Sequence, residues 1–142
     1  MSMNIPQEMK YREALAYAMT DAMEKAPNTM IIGQGVTDFK GIFETTSGLA
    51  ENYPDRVIET PLAEDSIAGI CIGASLNGMY PINTHIRADF SLLIFNQLIN
   101  LAAKYRYMFG GLFEVPMMFR LVVGRSWGQG AQHSQSLQSL MA

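Results

Sequence analysis

Short apolar segments alternate along this chain with longer segments of helical periodicity, and this alternation strongly restricts the possible fold. Apolar residues recur at helical spacing from Tyr11 to Ala22, and the apolar segment Thr29 to Gly33 follows as a predicted strand. The pattern predicts further strands at 56–59, 81–86 and 116–123, and further helices at 46–53, 63–77 and 89–107. Such alternation predicts an α/β fold, a doubly wound and mostly parallel sheet with helices on both faces.

Glycines and polar residues follow the predicted strands at their carboxyl ends. These segments are Gly33 to Gly35, Glu59 to Glu64, His85 to Phe90 and Gly124 to His133. In doubly wound sheets, ligands bind outside the carboxyl ends of the strands. The sequence therefore predicts that the chemically active residues converge on one edge of the sheet, where Asp89 is expected to cap the helix at 89–107.

A G-x-S-x-G sequence at 124–128 suggests a second interpretation, a serine hydrolase with Ser126 as nucleophile. In that fold an acid and then a histidine must follow the serine along the chain. Here no Asp or Glu follows Glu114, and His133 comes only seven residues after Ser126. The order of the residues makes the hydrolase the least favoured interpretation.

Composition indicates one soluble domain. The chain has 142 residues, 49% of them apolar and 16% charged, with a formal net charge of -3. The ten basic residues are dispersed, so no nucleic-acid partner is expected. No apolar run approaches the roughly 20 residues of a membrane span, the start does not resemble a signal peptide, and a single cysteine, Cys71, allows no intrachain disulfide. We expect a cytoplasmic protein without a membrane partner.

Several ordered motifs carry a resemblance to a known family. They are Tyr11-Arg12-Glu13-Ala14, Thr60-Pro61-Leu62-Ala63-Glu64, Asp89-Phe90-Ser91, Asn96-Gln97-Leu98-Ile99-Asn100, Tyr107-Met108-Phe109-Gly110-Gly111, Val115-Pro116 and Gln132-His133-Ser134-Gln135. Together they resemble the first part of the beta subunit of thiamine diphosphate-dependent 2-oxoacid dehydrogenases of the pyruvate, branched-chain and acetoin types. The resemblance implies that residues 1–142 are a transketolase-like, pyrimidine-binding domain that is truncated at its C-terminal end.

The resemblance also implies a set of site residues. Glu64 matches the glutamate that hydrogen-bonds the pyrimidine ring and activates it; without the motif, Glu64 would be read as a residue that complements the helix dipole. Phe90 matches the aromatic residue that packs on the pyrimidine, although it is equally a candidate core residue. His133 matches a histidine that reaches the active site. The alternative is that His133 is a histidine of a loop or helix end with no role in catalysis. Met117 matches a position whose backbone carbonyl binds potassium.

Cofactor and partners follow from the same resemblance. The chain has no Gly-Asp-Gly motif for Mg²⁺ and diphosphate, and the family carries that site on an alpha subunit. The expected function is therefore the pyrimidine half of a thiamine diphosphate site for oxidative decarboxylation of a 2-oxoacid. The expected partners are the alpha subunit, a second beta subunit and a lipoyl acyltransferase that receives the acyl group. The alternative is a non-catalytic remnant or interaction module of the same fold.

The segment at 83–88 departs from the pattern of the pyruvate enzymes. There a more apolar, phenylalanine-containing stretch is common, whereas this chain has Asn83-Thr84-His85-Ile86-Arg87-Ala88. His85 and Arg87 add polar and cationic groups beside the expected site. We therefore expect a more polar or anionic substrate than pyruvate.

Overall fold

Four parallel strands form the central sheet of the computed structural model, which describes residues 8–124 and 128–141. The strands are β1 (Thr29–Gly33), β2 (Val57–Glu59), β3 (Tyr80–His85) and β4 (Met118–Leu121). Their order is β2-β1-β3-β4, and each neighbouring pair is parallel. Gly33 is in register with Glu59 and with Thr84, so the carboxyl ends of the first three strands meet at one edge.

Helical segments connect the strands. They are α1 (Tyr11–Lys25), α2 (Gly41–Glu44), α3 (Leu49–Asn52), α4 (Glu64–Leu76), a 3₁₀ helix (Ala88–Ile94), a π-helix (Asn96–Ala102), α5 (Tyr105–Met108) and α6 (Gln138–Met141). Arg56 joins the end of α1 to the start of β1, because its guanidinium donates to the carbonyls of Met23 and Thr29 at 3.0 and 3.1 Å. The carbonyl of Met23 lies in the last turn of α1, where backbone carbonyls have no donor within the helix.

Both faces of the sheet are covered. Successive strand side chains point to opposite faces, and β1 accordingly contributes to two apolar clusters. Ile31 packs with residues of α1 such as Met19 and Met23. Met30 and Ile32 pack with Ile67 and Cys71 of α4, in the second cluster. The predicted α/β fold, with a parallel sheet between helices, is confirmed.

The segment 89–107 differs from the single long helix expected there. It is divided into the 3₁₀ helix, the π-helix and α5. At its start the Ser91 hydroxyl donates to the Ala88 carbonyl, which favours a tight turn. Later the Ala103 amide bonds the carbonyl of Leu98, five residues back. The predicted capping role of Asp89 is also wrong, since the N-cap is Arg87 and Asp89 bonds a distant segment.

The last strand is shorter than expected, because it covers Met118–Leu121 rather than 116–123. Its pairing with β3 extends from Met118 opposite Ile82 to Leu121 opposite His85. Met118 is 47% exposed, so this part of the strand lacks cover on one face.

None of the helices within residues 8–124 and 128–141 combines the length and the apolar character needed to cross a bilayer.

Candidate functional site

A pocket of about 460 Å³ lies at the carboxyl edge of the sheet, beside the first turn of α4. Its lining residues come from five segments of the chain and are Gln34, Leu62, Glu64, Ile86, Arg87, Phe90, Leu93 and His133. Three of the predicted site residues, Glu64, Phe90 and His133, therefore meet in one pocket. The prediction that the candidate residues converge at this edge of the sheet agrees with their placement.

Glu64 is the first residue of α4 and belongs to its buried face. The buried positions of this helix, which begin Glu64, Ile67, Ala68 and Cys71, repeat every three or four residues and so share one side. Glu64 is only 8% exposed, and no hydrogen bond or ion pair joins its side chain to another residue within the described parts of the chain. Because Glu64 lines the pocket, its carboxylate is suited to accept a hydrogen bond from a ligand.

Behind the pocket, β3 carries a buried polar chain on the face that α4 covers. The Asn83 amide nitrogen donates to the Ile32 carbonyl at 3.2 Å, which directs Oδ1 of Asn83 towards Nε2 of His85 at 2.8 Å. Because an amide oxygen only accepts, the network assigns the proton to Nε2 and leaves a lone pair on Nδ1. Nδ1 is buried and has no hydrogen-bond partner among the described residues.

The environment of His85 keeps its ring neutral. Burial lowers the pKa of His85 below its usual value, and the nearby carboxylate of Glu64 opposes that change without cancelling it. The sequence suggested that His85 adds a polar group beside the site, but the structure buries this residue and it does not line the pocket. Its actual role in a hydrogen-bond chain depends on Asn83, two residues earlier on the same face of the strand.

Phe90 and His133 contact each other across the pocket. Their ring centroids are 5.2 Å apart, and the rings meet edge to face at 78°. The segment that carries His133 is held by Asp89, whose Oδ1 accepts the Gln135 amide at 2.8 Å. Sequence reasoning missed this role of Asp89, because a carboxylate before a helical segment is usually read as a cap.

Arg87 forms another part of the wall. Its Nε and Nη2 both donate to Oε1 of Gln129, at 3.1 and 2.9 Å, and Nη1 donates to the carbonyl of Ile86 at 2.9 Å. Two bonds to a single oxygen fix the plane of the guanidinium group. The contribution of Gln129 was missed from the sequence, since it lies 42 residues from its partner.

Glu59, at the end of β2, anchors the loop next to Gln34. Its carboxylate accepts the Gly35 amide at 2.6 Å and the Thr37 amide at 3.0 Å. The available sequence signal was an acid at the end of the predicted strand 56–59, and the register of Glu59 opposite Gly33 places it beside the amides that follow β1. Gly33 itself has to lack a side chain, since a Cβ there would overlap the carbonyl oxygen of Thr84.

The remaining predicted site residue, Met117, lies outside the pocket. Met117 packs against the cluster formed by Met30, Ile32, Ile67 and Cys71 and is not part of the pocket wall; its potassium role stays a prediction. Burial raises the pKa of Cys71 to about 12, so the thiol stays protonated at neutral pH. Ser126, the serine of the hydrolase interpretation, lies outside the described residues.

The parallel α/β sheet, with a pocket at the carboxyl ends of its strands, belongs to a family that sequence comparison identifies. Residues 7–142 match the family described as transketolase, pyrimidine binding domain, and the chain belongs to this family. Its relatives include beta subunits of pyruvate dehydrogenase. The chain is 39% identical over 129 residues to "Pyruvate dehydrogenase E1 component subunit beta-1, mitochondrial" of Oryza sativa subsp. japonica, covering 90% of this chain and 34% of the relative.

Animal relatives give the same result. The "Pyruvate dehydrogenase E1 component subunit beta, mitochondrial" is 39% identical in Bos taurus and 38% identical in Homo sapiens, in each case over 129 residues. These alignments cover 90% of this chain and 36% of each relative. The chain thus spans about a third of the length of these relatives. Its similarity to part of these relatives agrees with the resemblance noted in the motifs.

Proposed function

We propose that this chain contributes the pyrimidine half of a thiamine diphosphate site, in an enzyme that oxidatively decarboxylates a 2-oxoacid. The observation that carries the proposal is the placement of Glu64, a residue that is only 8% exposed, whose side chain has no hydrogen bond to another described residue, and which lines a pocket with Phe90 and His133. Membership in the pyrimidine-binding family supports it. An alpha-type partner would hold the diphosphate and Mg²⁺, because this sequence has no Gly-Asp-Gly motif.

The lining of the pocket fits an aminopyrimidine ring. A ring of this kind has flat apolar faces and polar nitrogens at its rim, and the pocket combines one carboxylate with apolar walls from Leu62, Ile86 and Leu93. When bound, thiamine diphosphate supplies the carbanion chemistry that decarboxylation of a 2-oxoacid requires. The protein contributes binding, orientation and the control of protons at this site.

Each residue then has a specific role. Glu64 would accept a hydrogen bond from the protonated ring nitrogen and so promote proton loss from the amino group across the ring. Phe90 would pack on the pyrimidine, contributing about 0.5 to 1.5 kcal/mol beyond the area that it buries. His133, held beside Phe90, would bind the substrate carboxylate or transfer a proton near neutral pH. The acyl group would pass to a lipoyl acyltransferase, and beta subunits would associate with each other.

The Glu64→Gln variant tests this proposal in the full-length protein assembled with its partner. Glutamine keeps the shape of the side chain but removes its ability to take part in proton transfer. Exchange of the thiazolium C2 proton of bound thiamine diphosphate, followed by NMR, should slow by orders of magnitude. Asp65→Asn is the matched control, because Asp65 is an exposed carboxylate one residue further along the same helical turn and should leave the exchange rate unchanged. An exchange rate in Glu64→Gln equal to that of the unmodified protein would refute the role of Glu64.

A further inference from the structure

Another pocket, of about 390 Å³, lies where the start of α1, the segment around α2 and the end of β4 meet. Two arginines, Arg12 and Arg120, line it together with apolar side chains that include Leu15 and Leu121. We propose that this pocket binds a small organic anion with one carboxylate and an apolar body, and that Arg120 binds the carboxylate. None of the described residues that line it also lines the pocket of Glu64, so the proposal does not rest on the function proposed above.

Strand pairing directs Arg120 to the face of the sheet that α1 covers. Ile82 of β3 packs in the apolar cluster that includes residues of α1. Thr84 follows two positions later and so points to the same face, and Arg120 of β4 is in register with Thr84. Arg120 therefore projects away from the buried hydrogen-bond chain of Asn83 and His85 and towards the pocket beside α1.

Arg120 is partly buried, and no acidic side chain pairs with it within the described parts of the chain. Its Nη1 atom is buried without a hydrogen-bond partner among the same residues. Its neighbour in register, Thr84, is neutral. Burial lowers the pKa of Arg120 below its usual value, because it disfavours the charged guanidinium, and the nearby Tyr11 opposes this change. An anion bound in the pocket would stabilise the charge that burial disfavours.

The charges around the pocket favour a ligand with a single negative charge. Arg12, the other arginine of the wall, pairs with Glu44 at 3.1 Å. One positive charge of the wall is then left for a ligand to balance, and it belongs to Arg120. A planar guanidinium group suits a carboxylate, because its parallel N–H groups match the two oxygens of that anion. Tyr11 lines the same pocket, and its hydroxyl can donate a further hydrogen bond.

The rest of the wall determines what is attached to the carboxylate. Leu15, Leu121 and Val122 are apolar, and the Thr45 hydroxyl already donates to the carbonyl of Ile42 at 2.7 Å. Pockets for small molecules begin at roughly 300 Å³, so this pocket has room for a short aliphatic chain. Inorganic phosphate has no apolar surface and carries more than one negative charge at neutral pH, and it therefore fits this wall less well.

Calorimetric titration of the full-length protein, assembled with its partner, compares three probes. Pentanoate has the carboxylate and the apolar body, pentanamide has the same shape without the charge, and inorganic phosphate has the charge without the apolar body. Pentanoate should bind about 10-fold or more tightly than either of the others. Tighter binding of phosphate than of pentanoate would overturn the ligand class, and equal binding of pentanoate and pentanamide would overturn the role of the charge.

Variants assign the binding to Arg120. Arg120→Met should weaken the binding of pentanoate by roughly 10- to 100-fold, as expected for the loss of a charge-assisted hydrogen bond, and should leave that of pentanamide nearly unchanged. Arg106→Met is the matched control, since Arg106 is an exposed arginine that pairs with Glu114 at 2.9 Å and does not line the pocket. If Arg120→Met does not fold, Leu15→Trp gives an independent test, because an indole ring at this position fills the pocket and should prevent the binding of pentanoate. Unchanged affinity in Arg120→Met or in Leu15→Trp would contradict the proposal.

Crystals of the assembled protein soaked with 5-bromopentanoate locate the site. The anomalous signal of the bromine should lie beside Leu15 and Leu121, with the carboxylate at Arg120. Bromine found only in the pocket of Glu64 would assign the binding to that pocket and overturn the proposal. If a carboxylate of the assembled protein already fills the pocket beside α1, neither the calorimetry nor the crystals will show pentanoate there, and this result overturns the proposal as well.

Discussion

The electrostatic influence of Glu64 on His85 has consequences at the scale of single residues. Both are almost fully buried, at 8% and 2% exposure, and both lie between α4 and β3 at the carboxyl edge of the sheet. Burial lowers the pKa of His85, because it disfavours the charged imidazole, and the carboxylate of Glu64 raises it. The effect of burial is the larger one, so the pKa of His85 lies below its usual value. Cys71 on the same face of α4 stays neutral, because burial raises its pKa to about 12. The stability of the fold should therefore depend on pH through His85.

The role of His85 in stability is tested by measuring the free energy of unfolding as a function of pH. His85 resists protonation in the folded protein, but in the unfolded chain it takes up a proton near its ordinary pKa of about 6.5. The contribution of neutral His85 to the free energy of unfolding is therefore fully present above about pH 6.5. It is lost as the pH falls from about 6.5 through the lowered pKa of His85 in the folded protein. In this window the free energy of unfolding should decrease by up to about 1.4 kcal/mol per pH unit. Urea unfolding between pH 8 and pH 5 measures it.

Two variants provide the comparison. His85→Phe and His85→Gln both remove the titrating group, and both should show a shallower decrease of the free energy of unfolding below pH 6.5. Their stabilities at pH 8 should differ, because only glutamine can still donate to Oδ1 of Asn83. A slope in both variants identical to that of the unmodified protein would mean that His85 does not titrate differently in the two states.

Some features of the candidate site could be predicted from the sequence, and others could not. Glu64, Phe90 and His133 were placed in one site, because their motifs follow strands whose carboxyl ends meet. Their chemical roles remain proposals. The state of His85 could not be predicted, because its tautomer depends on an amide that is itself oriented by the carbonyl of Ile32, 51 residues before Asn83. Contacts of that separation leave no periodic signal in the sequence.

At the scale of elements, the segment from Ala88 to Met108 shows how tertiary contacts override local preference. Its apolar spacing favours one α-helix, yet the chain forms 3₁₀, π and α turns in succession. Asp89 is buried and accepts the amide of Gln135, and it is therefore not available to cap a helix. This bond fixes the first turn of the segment to the loop that carries His133, so one carboxylate positions both aromatic rings of the pocket.

The segment between β1 and α3 contains a turn for which the sequence predicted no element. Ile42, Phe43 and Glu44 have left-handed φ values of 42, 58 and 67°. Such values cost roughly 1 to 2 kcal/mol per non-glycine residue. Burial of Ile42 and the ion pair of Glu44 with Arg12 offset part of this cost. Because these contacts come from other elements, the turn could not be read from its own residues.

The bond between Asp89 and Gln135 leads to a prediction for the His133 segment. Asp89→Ala removes the acceptor of the Gln135 amide, and a hydrogen bond to a charged group is worth about 1.5 to 3 kcal/mol. Exchange of that amide with deuterium, measured by NMR, should accelerate by roughly 10- to 100-fold. Asp89→Asn keeps an oxygen acceptor in the same place and should show a much smaller acceleration. Equal exchange in Asp89→Ala and the unmodified protein would show that this bond does not hold the segment.

At the scale of the whole molecule, the described part of the sheet is open on one side. β4 pairs with β3 only, among the described residues, and Met118 and Val123 beside it are 47% and 44% exposed. Large apolar side chains are also exposed after the π-helix, with Tyr107 at 90% and Leu112 at 81%. An open edge and exposed apolar groups favour association with another chain. We therefore expect the 142-residue chain, studied alone, to form oligomers or aggregates.

The last prediction concerns how well these 142 residues bind the cofactor without a partner. The pocket offers one charge-assisted hydrogen bond through Glu64, worth about 1.5 to 3 kcal/mol, and stacking on Phe90, worth about 0.5 to 1.5 kcal/mol. Micromolar binding requires about 8 kcal/mol, and association also costs at least about 4 kcal/mol in lost motion. The diphosphate, which carries most of the charge, finds no Gly-Asp-Gly motif in this sequence.

Calorimetric titration of the isolated chain with thiamine diphosphate and Mg²⁺ should therefore give a dissociation constant in the millimolar range or weaker. The full-length protein with its alpha-type partner is the positive control, because there the diphosphate would also be held. Glu64→Gln should reduce binding in the assembled protein, where the loss of one hydrogen bond can be measured. Micromolar affinity of the isolated chain, or turnover of any 2-oxoacid by it, would contradict the division of the site between two chains, since the contacts of the pyrimidine pocket alone are too weak to account for either.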